Sequence, residues 1–277
     1  MTAIALALGA SLAWGLGDFI GGIKSRVLSV LTVLAISQLA GFAGVLVWLS
    51  VAGEGFPGWS SLAWAAAAGV GGCLGLAALY RGLAIGAMGI VAPVSAVSAV
   101  IPFVVGVASG ERPAALQLVG ILVALAGVAL ASREPTAEGG RRAAGIGLAL
   151  LAALGFGLFF VFLDRAAEGS VPWAVTTARG VSSVIALTVA IAAGATLRPG
   201  AVHMPALLGV GACDVAANAL FGLASTRGFL SVVSVLAALY PVVTVALAAV
   251  VLHERIAPSQ RLGVAGALAG AAMITAG

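Results

Sequence analysis

The chain has 277 residues, 62% of them hydrophobic and only 8% charged, with a formal net charge of +4. A soluble domain carries roughly 25% charged residues, and the few polar side chains here cannot cover a water-facing surface. A soluble fold is excluded, and so is a polyanion-binding role, because the cations sit mainly in short connections and form no basic stripe. Lipid is the solvent the composition requires, and no nucleic acid partner is expected.

A helix that crosses a bilayer needs about 20 predominantly apolar residues. The first 22 residues carry no basic stretch before their apolar run, so they read as a first span and not as a cleaved signal. Charge and turn residues then divide the chain into predicted spans at 3–22, 29–51, 60–80, 86–108 and 114–132. Five more follow at 145–163, 172–195, 204–226, 229–252 and 259–276. The longest polar connection, 133–144, is rich in Arg, Glu and Gly and links a first five-helix unit, 1–132, to a second, 145–277. Cys73 and Cys213 fall inside apolar runs and are too few for a disulfide scaffold.

The halves echo each other. Leu6-Ala7-Leu8 and Gly15-Leu16 return as Leu148-Ala149-Leu150 and Gly157-Leu158, with Trp14 answered by Phe156. Gly69-Val70-Gly71-Gly72-Cys73 returns as Gly209-Val210-Gly211-Ala212-Cys213. Glu111-Arg112, Gln117, Gly120 and Gly127 return as Glu254-Arg255, Gln260, Gly263 and Gly270. An odd number of spans per half makes the second half enter the membrane from the opposite side. The expected fold is therefore an all-α integral membrane protein of ten transmembrane helices built as two inverted five-helix repeats, the plan on which alternating access rests. A duplication that merely enlarges a membrane scaffold is the plainer alternative.

Ionisable groups at membrane depth are costly and stand as functional candidates by default. They are Asp18 in span 1, Arg179 in span 7 and Asp214 in span 8, joined by Asn218 in span 8 and by Gln38, the approximate repeat-mate of Arg179 in span 2. At about 1.5 Å of rise per residue, Arg179, Asp214 and Asn218 reach similar depth near the midplane. The i, i+4 spacing places Asp214 and Asn218 on one helix face. Either Arg179 or Asp214 receives a charged group of a substrate, with Asp214 also able to cycle a proton, or the two neutralise each other and glue their helices together. Asp18, only about five residues from the expected end of its span, suits a gate or proton-coupling position, with Lys24 and Arg26 as partners.

Several short motifs resemble the drug/metabolite transporter superfamily in its EamA-like ten-helix form, and the resemblance spans essentially the whole chain. They are Ala13-Trp14-Gly15, Gly110-Glu111-Arg112, His253-Glu254-Arg255 and Leu239-Tyr240-Pro241. Two positions depart from the pattern. His253 replaces a glycine, and Ser98 stands where the first half would carry the counterpart of Pro241, with Pro102 one turn further on. The resemblance implies secondary transport in a cell inner membrane, often export of amino acids or related metabolites.

Aromatic side chains complete the candidate substrate-binding set: Trp14, Phe156, Tyr80 and Tyr240 can line a central cavity, and Pro93, Pro102 and Pro241 free backbone carbonyls in spans 4 and 9. All of these could equally serve packing. No phosphate-binding loop, metal-ligand cluster or nucleophile with an evident base is present, so neither a cofactor nor ATP drive is expected. The expected partners are a small-molecule substrate, membrane lipid, and protons or a counter-substrate, with the chain a monomer or weak dimer. A membrane-embedded enzyme, with Asp18 and Asp214 as its acid pair, and a non-transporting sensor or assembly subunit are the rival functions. Orientation is open: Lys24, Arg26, Arg81, Arg133, Arg141, Arg142, Arg198, Arg255 and Arg261 lie on one side against Arg112, Arg165 and Arg227 on the other. That asymmetry puts both termini outside, whereas the resemblance implies cytoplasmic termini.

Overall fold

The computed structural model describes residues 1–25, 27–84, 96–131, 142–253 and 257–277, leaving aside the side chains of 79–84, 96, 142–146 and 149. Among the described residues every regular element is a helix. The first are α1 (Thr2–Ser25), α2 (Val30–Ala52) and α3 (Trp59–Ala84), followed by a 3₁₀ turn (Ala96–Ala99) that runs into α4 (Val100–Ala108), then α5 (Ala115–Ala131). The rest are α6 (Arg142–Ala167), α7 (Val171–Ala192), α8 (Met204–Ser225), α9 (Leu230–Ala237), α10 (Tyr240–Val251) and α11 (Pro258–Ala276).

Seven stretches among the described residues are long and apolar enough to cross a membrane: α1, α2, α7 and α8, the segments Trp59–Ala78 and Leu150–Ala167, and Leu230–Val251 across α9 and α10. Val97–Ala108 and Ala115–Ala131 are apolar but shorter. The difference from the ten expected spans has local causes. Residues 86–95 of the fourth lie outside the described residues, α5 has 17 residues, and α11 opens on the polar run Pro258-Ser259-Gln260-Arg261. The outer surface is apolar: Leu12, Val47, Leu122, Leu150, Val184, Leu208, Val250 and Leu268 are all at least half exposed. In water such a surface would drive aggregation; against lipid it is matched to its solvent.

Lipid supplies no hydrophobic drive between helices, so close approach depends on small residues. The closest helix pairs are α3 with α6, α5 with α11, α1 with α8 and α2 with α7. Each joins one half of the chain to the other. In the α5–α11 pair a Cβ placed on Gly120 would fall 2.8 Å from the Gly270 carbonyl oxygen, and in the α3–α6 pair one on Gly155 would fall 2.6 Å from the Gly75 nitrogen. Any side chain there would push the backbones apart.

The expected ninth span is interrupted between α9 and α10 at Ala238-Leu239. Pro241 explains the break, because it lacks an N–H and its ring crowds the carbonyl of Ala237, four residues earlier. The 3₁₀ turn before α4 precedes Pro102 in the same way. These breaks meet α1 and α6 through glycines: a Cβ on Gly15 would lie 2.9 Å from the Tyr240 carbonyl oxygen, and one on Gly157 2.8 Å from that of Ser98.

One end of the bundle, where the connections 53–58, 109–114, 168–170 and 226–229 gather, is laced by polar contacts. Glu111 accepts from the backbone N–H groups of Leu230 at 2.6 Å and Ser231 at 2.9 Å, capping the α9 N-terminus, where a carboxylate also complements the helix dipole. The Ser170 hydroxyl donates to the Glu54 carboxylate, Trp173 Nε1 donates to the Glu54 carbonyl at 3.3 Å, and Ser61 Oγ donates to the Ala166 carbonyl at 2.8 Å. Gly53, at φ 63°, turns the chain out of α2 toward this lacing. Phe56 packs edge-on against Trp59 and Trp173. All eight residues of α9, Leu230–Ala237, are buried beside it.

Candidate functional site

A central cavity of about 160 Å³ lies beyond this lacing, toward the opposite end of the bundle. Its lining comes from mid-helix positions of both halves: Trp14 and Asp18 on α1, Gln38 on α2, Gly72 and Cys73 on α3, Phe156 and Phe159 on α6. Arg179 and Ser182 of α7, and Asp214 and Asn218 of α8, complete the wall. Ser98 and Tyr240 reach it from the two helix breaks. A break frees backbone and side chain at membrane depth only where they face protein or a cavity, and both do here.

The polar core of the wall is one connected group. Arg179 is 4% exposed, and its Nη1 forms an ion pair with Asp214 Oδ2 at 2.5 Å. The same nitrogen donates to Gln38 Oε1, which also accepts from Ser182 Oγ at 3.1 Å. Ser183 Oγ donates to the Gln38 carbonyl at 3.0 Å, fixing α2 against α7. Asp214 Oδ1 accepts from Trp14 Nε1 at 3.0 Å. Four helices, α1, α2, α7 and α8, thus meet through a single guanidinium and a single carboxylate. This is the mutual neutralisation expected of a buried pair, and it leaves neither oxygen of Asp214 idle.

Around this group stands an aromatic wall. The Trp14 ring lies 5.6 Å from Phe160, 6.3 Å from Phe159 and 6.4 Å from Tyr240, each edge to face, and 6.2 Å from Phe221. Such contacts lock the indole. Phe156 lines the cavity and packs over Gly75, where a Cβ would fall 2.8 Å from its ring.

Three lining groups stand apart from the network. Asp18 is exposed within the cavity and makes no hydrogen bond or ion pair among the described residues. Because α1 continues to Ser25, Asp18 sits seven residues from the helix end and faces the cavity, one turn from Trp14. Lys24, one of its expected partners, does not pair with it, and Arg26 lies outside the described residues. Asn218, 7% exposed, and Ser98, 1% exposed, have buried side-chain oxygens without a hydrogen-bond partner.

The structure therefore gathers Trp14, Asp18, Gln38, Phe156, Arg179, Asp214, Asn218 and Tyr240 at one cavity. The Tyr80 side chain lies outside the described residues. Sequence reasoning missed Ser98, Ser182, Cys73, Phe159 and Phe160 as lining residues. Phe159 and Phe160 carried a usable signal, since they sit three and four residues beyond Phe156 on the same helix face.

The EamA-like transporter family matches residues 1–133 and 143–276. The chain belongs to this family. That places it among membrane transporters of the drug/metabolite transporter superfamily, multi-pass proteins whose partners are a small-molecule substrate and lipid. Among solved structures, one described as "Crystal structure of protein" superposes with a TM-score of 0.81 at 18% identity, covering 99% of this chain and 96% of that one. The likeness is one of fold. A search of curated proteins finds no sequence match.

Proposed function

We propose that the chain is a secondary active or facilitative transporter that exports a small polar metabolite, an amino acid or related compound, across a cell inner membrane. In this reading residues 1–132 and 145–277 are inverted repeats joined by 133–144, and transport proceeds by alternating access between them. Protons or a counter-substrate supply the coupling, and the unit is a monomer or weak dimer.

The observation that carries the reading is the polar cavity at the meeting of helices from both halves, sealed at one end by the Glu111 and Glu54 lacing. The pairing pattern supports the symmetry. Exchanging the halves turns α3 with α6 into α8 with α1, and returns α5 with α11 and α2 with α7 to themselves. The glycine contacts agree, with Gly15 on Tyr240 and Gly157 on Ser98 separated by the same 142 residues (157 − 15 and 240 − 98). That register sets Ser98 opposite Tyr240, one residue from the alignment with Pro241 expected from the motifs. Two near-equivalent packings of interleaved halves are what a rocking mechanism needs.

The test is reconstitution into liposomes with a panel of labelled amino acids, amines and nucleosides, comparing wild type with Asp214→Asn and Arg179→Gln. Wild type should move at least one solute down its gradient, and both substitutions should slow it. If no solute moves and none raises thermal stability, the reading fails.

A further inference from the structure

The charges around the cavity do not cancel. Among the described lining side chains, Asp18 and Asp214 carry two carboxylates and Arg179 one guanidinium, so one negative charge remains. It belongs to Asp18. Asp214 has one oxygen on Trp14 and the other on Arg179, while Arg179 is 4% exposed and turned to Gln38 and Asp214. The charge of the guanidinium is matched by Asp214 through Nη1, and what remains of it is a buried Nε without a hydrogen-bond partner. Asp18 is exposed to the cavity and has no pairing group among the described residues.

A second observation concerns hydrogen bonding. Asn218 is more than nine-tenths buried, lines the same cavity and has its carbonyl oxygen Oδ1 without a donor. An unsatisfied buried acceptor is costly, so this one calls for a donor from within the cavity. The unpaired carboxylate asks for a positive centre, and the amide oxygen, a separate point on the wall, asks for a further donor. The aromatic faces of Trp14 and Tyr240 favour a cation and an apolar body for the same solute. Among the described residues an anion would meet two carboxylates against one guanidinium, and that guanidinium is already ion-paired with Asp214.

Building on the transport reading, the geometry points to a substrate that carries net positive charge: a primary amine on an apolar or aromatic body, its ammonium held by Asp18, its body against the aromatic wall and a donor elsewhere on it meeting Asn218. Arg179 and Asp214 then shape the wall and do not bind the charged head. A zwitterionic amino acid is a poorer ligand than the matching amine, since among the described residues its carboxylate finds only a guanidinium already neutralised by Asp214.

A matched series tests the charge directly. Tyramine, tyrosine and 4-hydroxyphenylacetate share one ring and differ in head charge, and each can be titrated against purified protein and measured for uptake into proteoliposomes. Tyramine should bind at least about tenfold more tightly than tyrosine, because the carboxylate of tyrosine must leave water to face the unpaired Asp18 charge, a cost of at least about 1.4 kcal/mol, and the anion should not bind. Asp18→Asn should remove that preference, while Asp18→Glu, which keeps the charge, should retain much of it; the thermal unfolding of both variants checks that they are folded. Failure of tyramine to bind, binding no tighter than tyrosine, or an unchanged preference in Asp18→Asn overturns the assignment. Movement of other solutes in that case leaves the transport reading standing, whereas movement of none across the wider panel defeats both.

Discussion

The two ends of the bundle are built on different principles. At the laced end, most polar side chains bond to backbone, with Ser170 to the Glu54 carboxylate the exception: Glu111 to the N–H groups of Leu230 and Ser231, Ser61 to the Ala166 carbonyl, Trp173 to the Glu54 carbonyl. At the cavity, side chains bond chiefly to side chains across four helices, and Asp18, Asn218, Ser98 and the Nε of Arg179 keep unused capacity. Backbone-directed bonds fix the distance between elements. Side-chain networks with spare capacity fix a wall yet leave something for a solute to satisfy. The difference teaches where this fold is held and where it is poised, and substitutions at each end should separate the two.

The largest effect is expected from Arg179→Gln. Removing the guanidinium leaves Asp214 with an uncompensated charge beside a buried wall, and breaking one partner of a buried pair costs about 3–5 kcal/mol. Asp214 is itself 30% exposed, so water will recover part of that cost and the lower figure is the expected one. Thermal unfolding in detergent measures it. The double variant Arg179→Gln, Asp214→Asn should recover part of the loss, because it leaves no unpaired charge; equal losses in single and double variants would show that the pair is not coupled.

At the laced end, Glu111→Gln keeps the shape and removes one of two acceptors, setting an amide N–H against a backbone N–H. A hydrogen bond to a charged group contributes about 1.5–3 kcal/mol, so the seal should weaken by that order. Ser234, fully buried in α9, offers the readout. A cysteine introduced there should label faster with a water-soluble thiol reagent in the Glu111→Gln background than with Glu111 intact. An unchanged rate would mean that the carboxylate does not hold this end shut.

A smaller change is expected from Trp14→Phe. It removes the donor to Asp214 Oδ1 and keeps much of the ring packing against Phe160 and Phe221. A hydrogen bond to a carboxylate contributes about 1.5–3 kcal/mol, but Asp214 is 30% exposed and its Oδ1 can turn to cavity water, so a loss at or below the lower figure should result. Comparison of unfolding temperatures for the two proteins checks this, and a loss as large as that of Arg179→Gln would show that the indole packs far more than it bonds.

What the sequence made legible was set by cost. Arg179, Asp214 and Gln38 stood out because polar groups are expensive in an apolar run, and the cavity collects them. The ion pair was one of two open readings, and only the helix arrangement decides that Nη1 reaches Oδ2. Asp18 was harder, since its depth depended on where α1 ends, and apolar composition alone does not mark the last turn before Ser25. The break at Ala238-Leu239 followed from Pro241, but Ser98 could not be read as a wall residue, because a serine in an apolar helix usually bonds back to its own backbone. The interleaving of α3 with α6 and α1 with α8 is a tertiary choice, made by glycines whose partners lie 80 residues (155 − 75) or more away, too far for any local pattern to show.

The smallest effect tests the ends against each other at equivalent points of the two halves. Gly110, before Glu111 at the laced end, has φ 100°, and His253, before Glu254 at the other end, has φ 55°. The backbone thus takes a positive φ at both points, once with a glycine and once with a residue that carries a Cβ. Left-handed backbone costs an L-residue roughly 1–2 kcal/mol, while glycine costs about 0.4–1 kcal/mol through the extra freedom of the unfolded chain. The difference favours His253→Gly by about 0.5–1 kcal/mol, and His253→Val should destabilise, because a β-branched side chain is the least tolerant of this conformation. Because His253 is exposed, its side chain holds little packing to lose, so the unfolding temperature reads the backbone term. A rise for His253→Gly with unchanged transport would mean that the strain is incidental to the working of this end. A rise accompanied by slower transport would mean that the end opposite the Glu111 cap is kept loose by that one residue.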